Sequence, residues 1–268
     1  MTYTLITGAS SGIGKAIAYE CAKRGMNLIL VSLPNQDLEL VAKDISGSYG
    51  VETVFFETDL TRLDAPQELF NYTQHEGLDV DVLVNNAGVA GASYFKEATI
   101  DYIDERILLN IRAVVVLTRL YLPLLLTHRK SYILNVSSLA AFFYIPYKSL
   151  YSASKAFVKN FSRALSGELT NKGISISVLF PNGVKTNNIT TERIDAHGKV
   201  GHWAQDNVNK VAAIAIEGML KEKFYIIPGI ANHFLLFLRL ILPVRIQQWL
   251  ISREFEKEAK ATCKTEQI

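Results

Sequence analysis

Cysteine is nearly absent from this chain: two occur in 268 residues, Cys21 and Cys263. One falls in an expected helix and the other in a polar tail. Such a pair builds no disulfide framework and favours a reducing compartment, with the cytosol as the expected location. An excess of one charge is missing too. Lys and Arg total 28 against 26 Asp and Glu, so there is no basic field of the kind nucleic-acid binders carry, and the expected partner is a small molecule. Long hydrophobic runs are also lacking: by this reading no apolar stretch reaches the ~20 residues of a membrane span. The N-terminus enters a strand-like run at Tyr3 without the charged and hydrophobic regions of a secretory signal. His75, His128, His197, His202 and His233 show no ligand spacing, and no metal is expected. No internal repeat or low-complexity linker divides the chain, and its length suits one large α/β domain as well as two small ones.

What is present is a regular alternation of short apolar runs with helical patterns. Residues 3–7 read as a buried strand that runs into Gly8-Ala9-Ser10-Ser11-Gly12-Ile13-Gly14, and residues 15–24 follow with helical periodicity, stopped by Gly25. Strand, glycine-rich turn and helix form the dinucleotide-binding arrangement. The glycines admit the pyrophosphate to the backbone, and the helix start offers free N–H groups. A tight turn that binds nothing remains the alternative.

A second strand over 27–31 and a helix over 36–45 complete a right-handed crossover. The second strand ends in Ser32, Leu33 and Pro34. An acid there would take the ribose hydroxyl of NAD; its absence leans towards NADP, although no Arg stands ready for the 2′-phosphate and Lys15 is only a candidate. The third strand, 51–56, is followed by Thr58, Asp59 and Leu60, where a carboxylate can meet an adenine amino group or cap the next helix. A helix over 64–75 precedes a fourth strand ending in Asn85-Asn86-Ala87-Gly88, a small polar corner suited to a cofactor cleft.

Residues 100–126 read as one long apolar helix containing Asn110, which is either solvated or part of a polar network. A fifth strand over 132–136 leads to Ser138. A helix containing Tyr151 runs to about 171, a sixth strand covers 174–180, and Pro181 breaks the pattern ahead of Val184 and Thr186. Residues 187–205 suit a mobile flap over a ligand. A helix over 206–220 and a seventh strand over 224–227 follow. The apolar segment 230–251 is given three alternative roles: peripheral contact with a membrane interface, cover for a lipid-like substrate, or contact with another subunit.

Tyr151 and Lys155 stand four apart, on one helical face. A cation beside a phenol favours the phenolate and so makes tyrosine a usable acid or base near neutral pH, and Ser138 can hydrogen-bond the same substrate oxygen. The plain alternative is a lysine stem lying along a half-buried ring.

Together, Thr7 to Gly14, Asp59, Asn85 to Gly88, Asn110, Ser138 and Tyr151-Ser152-Ala153-Ser154-Lys155 resemble the short-chain dehydrogenase/reductase family over about residues 3–228. The resemblance implies an α/β fold, a single Rossmann-like, doubly wound domain at 1–229 with a seven-stranded parallel sheet; the apolar, then charged, C-terminal helical extension at 230–268 is longer than the minimal family fold. The resemblance implies a catalytic set of Asn110, Ser138, Tyr151 and Lys155. In that set Tyr151 moves the proton, Ser138 holds the reacting oxygen, Lys155 lowers the tyrosine pKa and binds the nicotinamide ribose, and Asn110 steadies a water. It places cofactor contacts at Gly8, Ser10, Ser11, Gly12, Ile13, Gly14, Ser32, Asp59, Leu60, Asn86, Ala87, Gly88, Tyr151, Lys155, Pro181, Val184 and Thr186. Asn182 stands where the family commonly has glycine. The expected function is NADPH-dependent reduction of a ketone on an apolar, lipid- or steroid-like substrate. The alternatives are an NAD-dependent secondary-alcohol dehydrogenase and a non-enzymatic dinucleotide-binding scaffold. Apolar surface on the helices over 100–126 and 151–171 points to a homodimer or homotetramer.

Overall fold

Seven strands, all parallel, form one sheet in the order β3-β2-β1-β4-β5-β6-β7. A computed structural model of the chain describes residues 1–183 and 207–265. The strands are β1 (Thr2–Thr7), β2 (Asn27–Ser32), β3 (Thr53–Glu57), β4 (Asp79–Asn85), β5 (Ser131–Val136), β6 (Ile174–Leu179) and β7 (Tyr225–Ile226). Leu5, Ile6 and the run from Leu28 to Val31 are wholly buried. Such continuous apolar strands are what a parallel sheet covered on both faces requires.

The helices are α1 (Gly12–Ala22), α2 (Leu38–Tyr49), α3 (Ala65–His75), α4 (Ile100–Ile107), α5 (Val114–Leu125), α6 (Ser149–Glu168), α7 (Val208–Leu220), α8 (Ile230–Ile241) and α9 (Val244–Thr265). Ile17, Cys21, Val41, Ile45, Ala215 and Ile216 from α1, α2 and α7 fill one core layer. Leu69, Leu117, Tyr121 and Leu125 from α3 and α5 fill the layer on the opposite face. The sheet is therefore doubly wound. Strand order reverses between β1 and β4, and the crevice beyond the carboxyl ends of these strands is where such sheets bind ligands.

Several boundaries differ from the sequence reading. Helix α2 runs four residues past Ile45, to Tyr49, and ends at Gly50, whose φ of 67° supplies the left-handed cap that stops it. Asp59 caps no helix, because α3 starts only at Ala65. Strand β7 keeps just two residues, paired with Val178 and Leu179 at the sheet edge.

The expected helix over 100–126 is also not uniform. Between α4 and α5, Leu108–Ala113 form a π-helical segment, and Asn110 lies inside it. The whole stretch Ile100–Leu125, at 26 residues, is long and apolar enough to cross a membrane by length and hydropathy, which corrects the expectation that no run qualifies. Here it serves as a core helix: Leu117, Tyr121 and Leu125 are buried against the sheet. The C-terminal extension is two helices, broken where Pro243 cannot continue the first. The suggested flap at 187–205 lies outside the described residues.

Candidate active site

A cleft of about 1180 Å³ opens at the carboxyl ends of the strands. Its floor begins at the turn after β1. Gly8 has φ +67°, and Gly14 lies behind it so closely that an added Cβ would sit 2.1 Å from the Gly8 carbonyl oxygen. Gly14 therefore shapes the turn from behind and, contrary to expectation, does not line the cleft, whereas Gly8, Ser10, Ser11, Gly12 and Ile13 do. Asn86 clamps the turn from the β4 side: its Nδ2 donates to the carbonyls of Thr7, at 2.8 Å, and Gly8, at 3.1 Å. Thr7 Oγ1 in turn accepts from the amides of Asn86 and Ala87, each at 3.0 Å.

Ser32, Leu33 and Gln36 after β2, and Thr58, Asp59 and Leu60 after β3, line the far end. Gln36 Oε1 accepts from Ser10 Oγ at 2.8 Å, closing this end over the glycine turn. Asp59 Oδ1 accepts from the amide of Thr61 at 2.9 Å and from its hydroxyl at 2.8 Å, which fixes the carboxylate at the cleft edge.

At the other end stand Ser138, Tyr151 and Lys155, all lining the cleft. Ser138 follows β5 and caps a short 3-10 turn, Leu139–Phe142, with its Oγ accepting from the Ala140 amide at 3.1 Å. That bond uses a lone pair of the oxygen and leaves its O–H to be donated into the cleft. Tyr151 and Lys155 share one face of α6, with Lys155 Nζ 5.9 Å from the centre of the tyrosine ring. Lys155 is 6 % exposed. Its Nζ donates to the Val136 carbonyl at 3.0 Å, and burial pulls its pKa down to about 8. Ser137 Oγ donates to the Lys155 carbonyl at 2.8 Å, tying α6 to the end of β5.

Asn110 is fully buried and sits behind this group. Its Oδ1 accepts from the Val89 amide at 2.8 Å, and its Nδ2 donates to the Val89 carbonyl at 2.9 Å and to Ser154 Oγ at 3.2 Å. A Cβ added to Gly88 would lie 3.0 Å from Asn110 Oδ1 and 3.1 Å from Lys155 Nζ, so one glycine is the contact point of both. A π turn widens the helix by one residue, and here it lets a polar side chain leave an apolar helix towards the loop after β4.

The short chain dehydrogenase model matches residues 2–196. This chain belongs to that family. As a short chain dehydrogenase it is 41% identical over 192 residues to a very-long-chain 3-oxoacyl-CoA reductase of Anas platyrhynchos, covering 69% of this chain and 60% of the relative. It is likewise 41% identical over 187 residues to a 17-beta-hydroxysteroid dehydrogenase type 3 of Mus musculus, with the same two coverages. The chain thus spans about 60% of the length of these curated relatives. Among solved structures, a short-chain dehydrogenase from Sphingobium yanoikuyae in complex with NADPH superposes with a TM-score of 0.77 at 28% identity, over 90% of this chain and 94% of that one.

Of the expected contacts in this short chain dehydrogenase, Ala87, Gly88 and Pro181 line the cleft and Val184 and Thr186 lie outside the described residues. The sequence offered cover for a substrate as one of three roles for the segment 230–251 and did not choose among them. Leu235 and Arg239 of α8, Leu242 of the link that follows it, and Leu250, Ile251 and Phe255 of α9 line the same cleft and roof it. Sequence reasoning missed the tie that seats that roof: Asn182 Nδ2 donates to Asn232 Oδ1 at 2.9 Å, and Asn232 Nδ2 to the Pro228 carbonyl at 2.6 Å. The departure from Pro-Gly at Pro181-Asn182 was its one visible signal.

Proposed function

We propose that this chain is a nicotinamide-dinucleotide-dependent reductase of ketones on apolar, lipid- or steroid-like substrates, with NADP as the preferred cofactor. The observation that carries the reading is the convergence of Ser138, Tyr151 and the buried Lys155 on one cleft whose other end is a glycine turn. The residues fit a dinucleotide. The close packing at Gly8 and Gly14 brings bare backbone to the cleft, and α1 begins there with no acidic residue in its first turn and no side chain capping its amides.

A bound dinucleotide supplies the hydride. Ser138 donates a hydrogen bond to the ketone oxygen and holds it beside the Tyr151 hydroxyl. Tyr151 gives that oxygen its proton as negative charge develops, and the Lys155 ammonium stabilises the phenolate left behind. Asn110 pins the loop at Val89 and keeps Gly88 against Lys155. The cofactor preference rests on the end of β2, where Ser32 and Leu33 offer no carboxylate to repel a 2′-phosphate. The substrate class rests on the apolar roof residues Leu235, Leu242, Leu250 and Ile251 and on the two relatives named above.

The roof helices also support peripheral membrane contact. On α8, Ile230 is 91% exposed, Leu240 78%, Phe237 58% and Phe234 53%. A helix that is apolar on both its cleft face and its outer face suits a bilayer interface from which a lipid-like ketone is drawn. Half-buried Val115, Val116 and Leu120 on α5, with the stacked pair Phe157 and Phe161 on α6, support self-association. The test of the activity is NADPH consumption with ketones of graded chain length, in parallel with titrations of NADPH and NADH. Tyr151→Phe should abolish turnover and leave cofactor affinity nearly intact. Unchanged turnover in that variant overturns the assignment, and equal or tighter NADH binding overturns the cofactor preference.

A further inference from the structure

Helix α9 points a regular stripe at the cleft. Gln247, Ile251 and Phe255 stand four residues apart and all line it, as side chains on one helical face do. Both ends of the stripe are pinned. At one end Gln247 Nε2 donates to the carbonyls of Arg239, at 2.9 Å, and Leu242, at 2.7 Å, which locks the corner at Pro243. At the other end the Phe255 ring lies against Lys148, whose Nζ is 4.3 Å from the ring centre. A cation over an aromatic face is attracted by the ring quadrupole and so holds the ring in place. From Gln247 to Phe255 the helix rises about 12 Å, a beam along the cleft that is fixed at two points.

The second anchor lies beside the chemistry. Lys148 immediately precedes α6 and stands three residues before Tyr151, so the two are neighbours on its first turn, and both line the cleft. Phe143 and Ile145, from the loop ahead of α6, line it as well, and the Lys148 amide donates to the Ile145 carbonyl at 3.2 Å. Phe255 is thus brought to the part of the cleft where a ketone lies with its oxygen at Tyr151. Two aromatic rings and an aliphatic side chain offer a substrate shape rather than hydrogen bonds. Walls of that kind discriminate by what they leave room for.

We propose that Phe255, seated on Lys148, is a specificity-determining residue that limits the width of the ketone beside its carbonyl. This rests on the reductase reading and sharpens its substrate class: a slender, unbranched apolar ketone is preferred to one branched next to the reacting carbon.

Two isomers test it, methyl nonyl ketone and the ketone of the same formula with a methyl branch on the carbon next to the carbonyl. With the NADPH holoenzyme, kcat/KM should favour the straight isomer. Phe255→Ala should reduce that preference about tenfold, the worth of one hydrocarbon group in an apolar pocket, by speeding the branched isomer. Phe255→Trp should enlarge the preference. Lys148→Met, which leaves the ring without its cation, should reduce it in part, and the Kd of NADPH should be the same in every variant. A ratio near one in the unaltered enzyme, or one unmoved by Phe255→Ala, overturns the proposal. So does an equal fall for both isomers, since Phe255 then only seats the roof, and a ratio unmoved by Lys148→Met overturns the role of the seat. Turnover of the straight isomer by the unaltered enzyme reports on the reductase reading by itself, and calorimetric Kd values for the two ketones read the selectivity even without turnover.

Discussion

At the scale of single residues, the site is governed by one ammonium group placed where water is scarce. Burial depresses Lys155 to about 8 from an ordinary value of 10.5, so between those limits the unfolded chain binds more protons than the folded one. The resulting cost, of order 3 kcal/mol, is fully present below pH 8 and is relieved as pH rises towards 10.5. The melting temperature of the cofactor-free chain should therefore climb between pH 8 and 9.5, and Lys155→Met should flatten that slope. An equal slope in the variant would place its origin elsewhere. Buried Tyr121 has its phenol pKa raised, so its ionisation does not enter this window. Gly88 is the second residue on which the site turns. Gly88→Ala would press on Asn110 and Lys155 at 3.0 and 3.1 Å. Turnover should fall tenfold or more, with a loss of about 1–2 kcal/mol in a denaturant titration, the usual cost of overpacking.

At the scale of elements, the π segment and the roof helices matter most. Asn110 could be seen in the sequence as a polar residue in an apolar helix, but its two bonds to Val89 arise from a change of helical pitch that no periodicity announces. Asn110→Leu takes the partner from the half-buried amide and carbonyl of Val89, and should cost about 1–3 kcal/mol on urea unfolding. The roof depends on Asn182 and Asn232, whose mutual bond and the one to Pro228 join α8 to the turn after β6. Asn182→Gly, the residue the family commonly has there, should raise KM for an apolar ketone severalfold and leave NADPH affinity unchanged. Steady-state kinetics with calorimetry of cofactor binding would separate the two effects.

At the scale of the whole molecule, the extension from Ile230 onward completes the cleft on one face and opens an apolar surface on the other. Replacing exposed Phe234 and Phe237 together by Ser should sharply reduce co-flotation with phospholipid vesicles while turnover of a water-soluble ketone persists. Loss of both would mean the helix had failed to dock. The sheet, its parallel sense and the cleft end of its strands were legible in the sequence, because each is written locally: apolar runs of strand length, glycines where backbone must come close, and a Tyr and Lys one helical turn apart. Those signals need no knowledge of distant residues. Tertiary structure alone decided that Gly14 packs behind the turn, that Lys155 loses its water, and that residues more than eighty positions beyond Tyr151 close over it. Each of these depends on which surfaces meet after the chain has folded. Contact between distant segments, and the desolvation it brings, has no local periodicity to be read in advance.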